Sequence, residues 1–218
     1  MMGVVGTGLG ALPGETPGPD ALPGARPLVC VLSGSPRRGR CLELAGCVAR
    51  GAELAGCEAR TLALAGLEVA GCTGCGACSR TGECVLPEDG MAEVARALEG
   101  ADALALVAPV FFAGPPSQLK AALDRLQPLW ARRYLLGTHP LLPKEARKPF
   151  DLLVVGSGGD PFGHEPLVTC CRSALRMADY ELREVRDLVG VDMPAASEAA
   201  RAWGEDLARR LLGDPARP

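Results

Sequence analysis

The stretch Leu28-Val29-Cys30-Val31-Leu32-Ser33-Gly34-Ser35-Pro36-Arg37-Arg38-Gly39-Arg40 decides the fold. Its first six residues, uncharged and rich in aliphatics, read as a buried strand; a turn of Ser, Gly and Pro then delivers the chain into a helical-period segment at 40–55. Small hydroxyl residues and glycine let the backbone curl around an anion. The helix that follows aims its free N–H groups and the positive end of its dipole at the same point. On these grounds Ser33, Ser35, Pro36, Arg37 and Arg40 are the candidate phosphate-binding residues.

Outward from that unit the pattern repeats. Apolar runs at 59–64, 103–108, 151–156 and 183–189 alternate with helical-period segments at 91–99, 117–126, 165–178 and 195–212. Five strands with crossover helices predict an α/β protein: a flavodoxin-like, doubly wound, five-stranded parallel sheet of order 2-1-3-4-5. In that topology ligands bind beyond the carboxyl ends of the first and third strands. The turn after the third strand, with Pro109, Val110, Phe111 and Phe112, presents backbone N–H groups and an aromatic surface suited to a flat heterocycle. Ser157, Gly158 and Gly159 after the fourth strand are placed to wrap its other edge.

One domain, 28–213, accounts for the regular pattern. Residues 1–27 are rich in Gly and Pro without an apolar period and are expected to form a flexible tail. Within them Val4 to Ala11 imitates a dinucleotide-binding fingerprint, but Pro13, Pro17, Pro19 and Pro23 forbid the helix that fingerprint requires. A net charge of −3 over 218 residues offers no general attraction for nucleic acid or anionic membranes. With no long apolar run and no basic leader, the sequence predicts a cytoplasmic protein acting on a small molecule.

Four of the ten cysteines, Cys72, Cys75, Cys78 and Cys84, crowd into one glycine-rich loop at 71–84. Thiolates at that spacing can wrap an iron–sulfur cubane, and the glycines permit the tight backbone. A metal-free loop and a structural zinc site are the competing readings. The other six cysteines, scattered through apolar segments, read as small core hydrophobes. His164 opens a predicted helix beside the glycine turn, either as a surface or capping residue or as an acid–base group. His139 reads as a surface residue.

Gly34-Ser35-Pro36-Arg37, the Pro109–Phe112 loop running into Gln118-Leu119-Lys120 and Asp124-Arg125, and the four cysteines together resemble the iron–sulfur flavoprotein subgroup of the NADPH-dependent FMN reductases. The resemblance implies FMN on the three loops and a [4Fe-4S] cluster on the four cysteines, often across a subunit interface of a homodimer or homotetramer. NAD(P)H or a protein electron acceptor is the implied redox partner. The family usually carries Asn and then Ser or Thr, whose side chains help hold the FMN phosphate, where this chain has Arg40 and Cys41, so the resemblance adds Cys41, a poor donor, to the cofactor-binding candidates. One branch oxidises 2-amino-4-deoxychorismate-type acids, and Arg132 and Arg133 are the residues placed to read such a dicarboxylic acid. The rival readings are a cluster-free NAD(P)H-dependent FMN or quinone reductase and a non-enzymatic flavodoxin-type electron carrier.

Overall fold

The computed structural model describes residues 26–158 and 160–213. Residues 1–25, most of the predicted tail with its Val4–Ala11 imitation, and Gly159 of the third loop lie outside the described residues. Five strands form one parallel sheet in the order β2-β1-β3-β4-β5: β1 Leu28–Ser33, β2 Glu58–Ala63, β3 Ala103–Pro109, β4 Lys148–Gly156 and β5 Tyr180–Val189. The helices are α1 Arg40–Leu54, α2 Cys78–Thr81, α3 Met91–Gly100, α4 Ser117–Asp124, α5 Gln127–Tyr134, α6 Glu165–Leu175 and α7 Met193–Leu211. The doubly wound sheet predicted from the alternation is the sheet observed.

Alternate residues of the central strands face opposite layers. Leu32, Leu104, Leu106, Leu152 and Val154 pack with Leu98 of α3, Leu119 of α4 and Leu167 of α6. Val29, Val31, Ala105, Val107 and Leu153 meet α1 through Leu44 and Val48 and α7 through Trp203 and Leu207. Each fully buried Leu or Val contributes about 1.5–3 kcal/mol, so the two layers anchor β1 and β3, the strands that carry the candidate loops.

The second layer closes through glycine. A Cβ on Gly204 would stand 2.0 Å from the Val48 carbonyl oxygen, and one on Gly51 2.0 Å from that of Arg201. α1 and α7 therefore touch backbone to backbone at two points.

Several boundaries differ from the sequence expectation for identifiable reasons. β4 starts at Lys148 and β5 at Tyr180, where polar groups replace an apolar run: Lys148 Nζ donates to Glu99 O at 2.6 Å and Tyr180 Oη to Leu98 O at 2.7 Å. The helix predicted over 117–126 stops at Asp124, and α5 begins anew with Pro128 in its first turn, where a missing N–H costs nothing. α7 starts at Met193 because Asp192 caps it, accepting from Ala195 N at 3.0 Å. Cys30, Cys41, Cys57 and Cys171 are buried as expected, whereas Cys47 and Cys170 are only partly covered. No helix among the described residues is long and apolar enough to cross a membrane.

Candidate functional site

The turns after β1, β3 and β4 leave the sheet side by side. Gly34 N donates to Val107 O at 2.9 Å and Val110 N to Val155 O at 3.0 Å, which carries the sheet pairing into the turns themselves. A Cβ on Gly34 would stand 2.9 Å from Leu119 Cδ2 on α4, so any larger residue there displaces the end of that side chain.

In the first turn, Ser33 and Ser35 are buried, and Ser33 Oγ has no partner among the described residues. Ser35 Oγ accepts from Arg37 N at 3.3 Å. Gly39 precedes α1 without a side-chain cap, and the first helical bonds run from Leu42 N and Glu43 N to Gly39 O at 2.8 and 3.1 Å. The N–H groups upstream of Leu42 therefore lie at the positive end of the dipole with no helical acceptor. Pro36 is partly covered, and Arg37 stands exposed. Arg40 turns away: its Nη2 donates to Val191 O between β5 and α7, while its Nε is buried without a partner among the described residues. Burial pushes the Cys41 thiol up to about 11 against the charge of Arg40, so beneath the turn it stays a neutral thiol, hydrogen-bonded with Ser35. An uncapped helix start with an orphaned hydroxyl fits a phosphate.

The second turn is a tight hairpin. Phe111 N donates to Gly114 O at 2.9 Å and Gly114 N to Phe111 O at 3.0 Å, with Phe112 and Ala113 between them at φ 49° and 61°. Two consecutive positive φ values on residues with side chains are strained. Phe112 is fully exposed and Phe111 about half so, so neither is a core aromatic beneath the loop. Leu167 N pins the hairpin to α6 through Ala113 O at 3.0 Å. Pro109 and Val110 lie partly covered at its base. In the third turn Ser157 and Gly158 are exposed, and Gly190 N holds its start through Gly156 O at 2.9 Å. His164 opens α6 as predicted, with Nδ1 3.7 Å from Asp187 Oδ2.

Cys72, Cys75, Cys78 and Cys84 line one cavity of about 370 Å³, whose far wall is Asp124, Arg125, Gln127 and Pro128. A backbone hydrogen bond from Ala77 is the main cause that lowers the Cys75 thiol below its ordinary range. Among the described residues no three His, Cys, Asp or Glu side chains converge closely enough to hold a single metal ion. The thiols ring a space and do not meet at a point.

Two arginines clasp the loop that carries these thiols. At its start Asp89 Oδ2 accepts from Ala70 N at 2.9 Å, and Arg125 Nη1 donates to Ala70 O at 3.0 Å and to Asp89 Oδ2 at 2.7 Å. Burial pushes the Asp89 carboxyl up, but the N–H groups of Ala70 and Met91 and the Arg125 guanidinium together hold it below its ordinary value. At the far end Arg132 Nε donates to Gly82 O at 2.8 Å. Arg133 is buried, with Nε and Nη2 on Met177 O, Nη1 on Pro140 O and Nη2 on Asp179 Oδ2 at 2.6 Å. The fork expected from Arg132 and Arg133 is thus not formed, because both side chains tie loops of their own fold. Asp89 and the inward face of Arg125 went unassigned in the sequence reading; their one local sign is an arginine closing the apolar face of the predicted 117–126 helix.

Residues 27–185 match the family described as NADPH-dependent FMN reductase. The chain is 37% identical over 95 residues to "Iron-sulfur flavoprotein" of Methanosarcina thermophila, covering 43% of this chain and 49% of that protein. It is 41% identical over 68 residues to "Iron-sulfur flavoprotein" of Archaeoglobus fulgidus, covering 31% of this chain and 30% of that protein. It thus spans about half or less of the length of these curated relatives. A solved "flavone reductase" superposes with a TM-score of 0.64 at 15% identity, covering 87% of this chain and 65% of the other. On the match across most of its described length, the chain belongs to the NADPH-dependent FMN reductase family.

Proposed function

We propose that the protein is an FMN-dependent oxidoreductase that holds a [4Fe-4S] cluster on Cys72, Cys75, Cys78 and Cys84. The observation that carries the cluster is the single cavity ringed by those four thiols. A tetrahedral zinc at about 2.3 Å from each sulfur draws its ligands to one point, whereas a cubane takes one thiolate on each of its irons and asks for a ringed space. The names of the two iron–sulfur flavoproteins point the same way.

For FMN, the α1 N-terminus with Ser33, Ser35 and Arg37 would hold the phosphate. Pro109 to Phe112 and the turn at 157–159 would hold the ring. When bound, the flavin supplies two-electron exchange with a small molecule and one-electron exchange with the cluster. The chain's own part is to orient both groups. α4 begins at the ring loop and ends at the cysteine cavity, and its eight residues span about 12 Å. NAD(P)H, or a protein electron acceptor, is the proposed redox partner, and a homo-oligomer the proposed assembly. Oxidation of a cyclic dicarboxylic acid such as 2-amino-4-deoxychorismate is not retained, because Arg133 is buried and held by Met177 O, Pro140 O and Asp179, which leaves Arg132 without its expected partner in the fork.

Anaerobic purification or reconstitution followed by flavin, iron and sulfide assays tests the proposal. About one FMN and four irons per chain are expected. Cys75→Ala abolishes iron uptake and Cys171→Ala preserves it; iron below one per wild-type chain defeats the cluster assignment, and equal loss in both variants defeats the choice of ligands.

A further inference from the structure

We infer that Arg125 is the internal charge and hydrogen-bond donor of the four-cysteine cavity, and that it sets how readily the cavity's occupant accepts an electron. The inference rests on the cluster reading above. Arg125 is 8% exposed and is the only cation among the residues lining the cavity. Its Nη1 is committed to Ala70 O and Asp89, while its Nε is buried with no partner among the described residues. A buried cationic N–H without an acceptor is costly, so the position asks for one. The sulfurs of a thiolate-bound cluster are acceptors of the required sign.

Two other cations act on these thiols from outside the cavity wall: Arg80 on α2 helps to lower the Cys75 thiol, and Lys120 on α4 interacts with Cys72. Asp124, the one carboxylate lining the cavity, is paired with Lys120 at 2.5 Å. Asp89 faces Arg125 from the segment before α3 and offsets part of its charge at 2.7 Å. Arg80 and Lys120 are exposed, where solvent screens their charge, and Arg132 on α5 is held by Gly82 O. Of the cations near the four thiols, Arg125 is therefore the buried one. Adding an electron to an anionic group is easier beside a fixed positive charge in a poorly solvated site, and hydrogen bonds to the sulfurs act in the same direction. No bond to Arg125 forms or breaks and no proton moves; Arg125 acts by position alone.

The test is a redox titration, followed by electron paramagnetic resonance, of the anaerobically reconstituted wild type and of Arg125→Gln, Arg125→Lys and Asp89→Asn. Iron and sulfide are assayed first. Arg125→Gln is expected to make the potential more negative by about a tenfold fall in the reduction equilibrium constant, about 59 mV for one electron. Arg125→Lys retains most of the wild-type value. Asp89→Asn, which unmasks the cation, moves the potential the opposite way. A loop that is merely loosened shifts the Gln and Asn variants in the same direction, and that result overturns the inference, as does a potential unchanged in Arg125→Gln. If Arg125→Gln fails to fold or to take up iron, a less negative potential in Asp89→Asn beside a nearly unchanged one in Arg125→Lys still supports the inference, and a more negative potential in Asp89→Asn overturns it. A wild type with iron but no charge response removes only the role of Arg125; a wild type without iron and sulfide removes the cluster reading itself.

Discussion

Phe112 holds a left-handed backbone at φ 49° while its ring is fully exposed, so the phenyl gives the fold no packing to offset the strain. A ring kept out in solvent on a strained hairpin beside an anion-binding turn is positioned for a ligand. Asparagine tolerates this conformation better than phenylalanine. Phe112→Asn is therefore expected to raise stability in urea by about 0.5–1 kcal/mol and to weaken FMN binding by roughly fivefold through the lost aromatic contact. Unchanged flavin affinity would place the ring clear of the cofactor. At this scale the sequence was legible where chemistry is local: Ser33 to Arg37 and the two phenylalanines stand where the strand–turn–helix pattern puts them. The Arg125–Asp89 pair was not, because its members are 36 residues apart and only the folded chain makes them neighbours.

Between elements, the approach of α1 to α7 is set by what is missing from two side chains. Gly51 and Gly204 let α1 and α7 meet at their backbones, so a methyl group at either forces the helices apart. Gly204→Ala should cost about 3 kcal/mol in equilibrium unfolding and, by shifting the helix whose N-terminus forms the phosphate turn, weaken FMN as well; a cost below about 0.5 kcal/mol, the level of an ordinary surface change, would mean that the two helices yield freely. The alternation of apolar runs and helical periods was enough to order the sheet, because each run in β1 and β3 is buried on both faces. It was not enough to start β4 and β5 correctly. There the first turn of strand is secured by Lys148 and Tyr180 reaching backbone carbonyls at the end of α3, a long-range bond that no local period records.

Across the whole molecule, Asp151 is the buried charge that ties β4 to the end of the chain. It is 0% exposed, bonded to Arg210 Nη2 on α7, while Arg210 Nη1 reaches Glu184 on β5 at 2.6 Å. Burial pushes the Asp151 carboxyl up to about 6, with Arg210 opposing, from an ordinary 3.8. Between those values the folded chain holds a proton that the unfolded chain has released, so this contribution is complete below the lower value and is lost as pH rises through about 6. Asp89 and Glu184, held low, act in the opposite sense and lose their contribution on acidification. Comparison with Asp151→Asn cancels them: between pH 7 and 4.5 the wild type should gain on the variant by on the order of 2 kcal/mol, and a gap that stays constant across that range would show that Asp151 does not titrate there. The layer in which Asp151 sits has a further consequence for how the protein is made. Trp203 and Leu207 cover the same face as Leu44 and Val48, so while the ribosome is still short of α7 the helix behind the phosphate turn has its oily side bare. The nascent chain can pair its strands in order of synthesis, but it must shelter that side, by a chaperone or by the tunnel itself, until α7 emerges to cover α1.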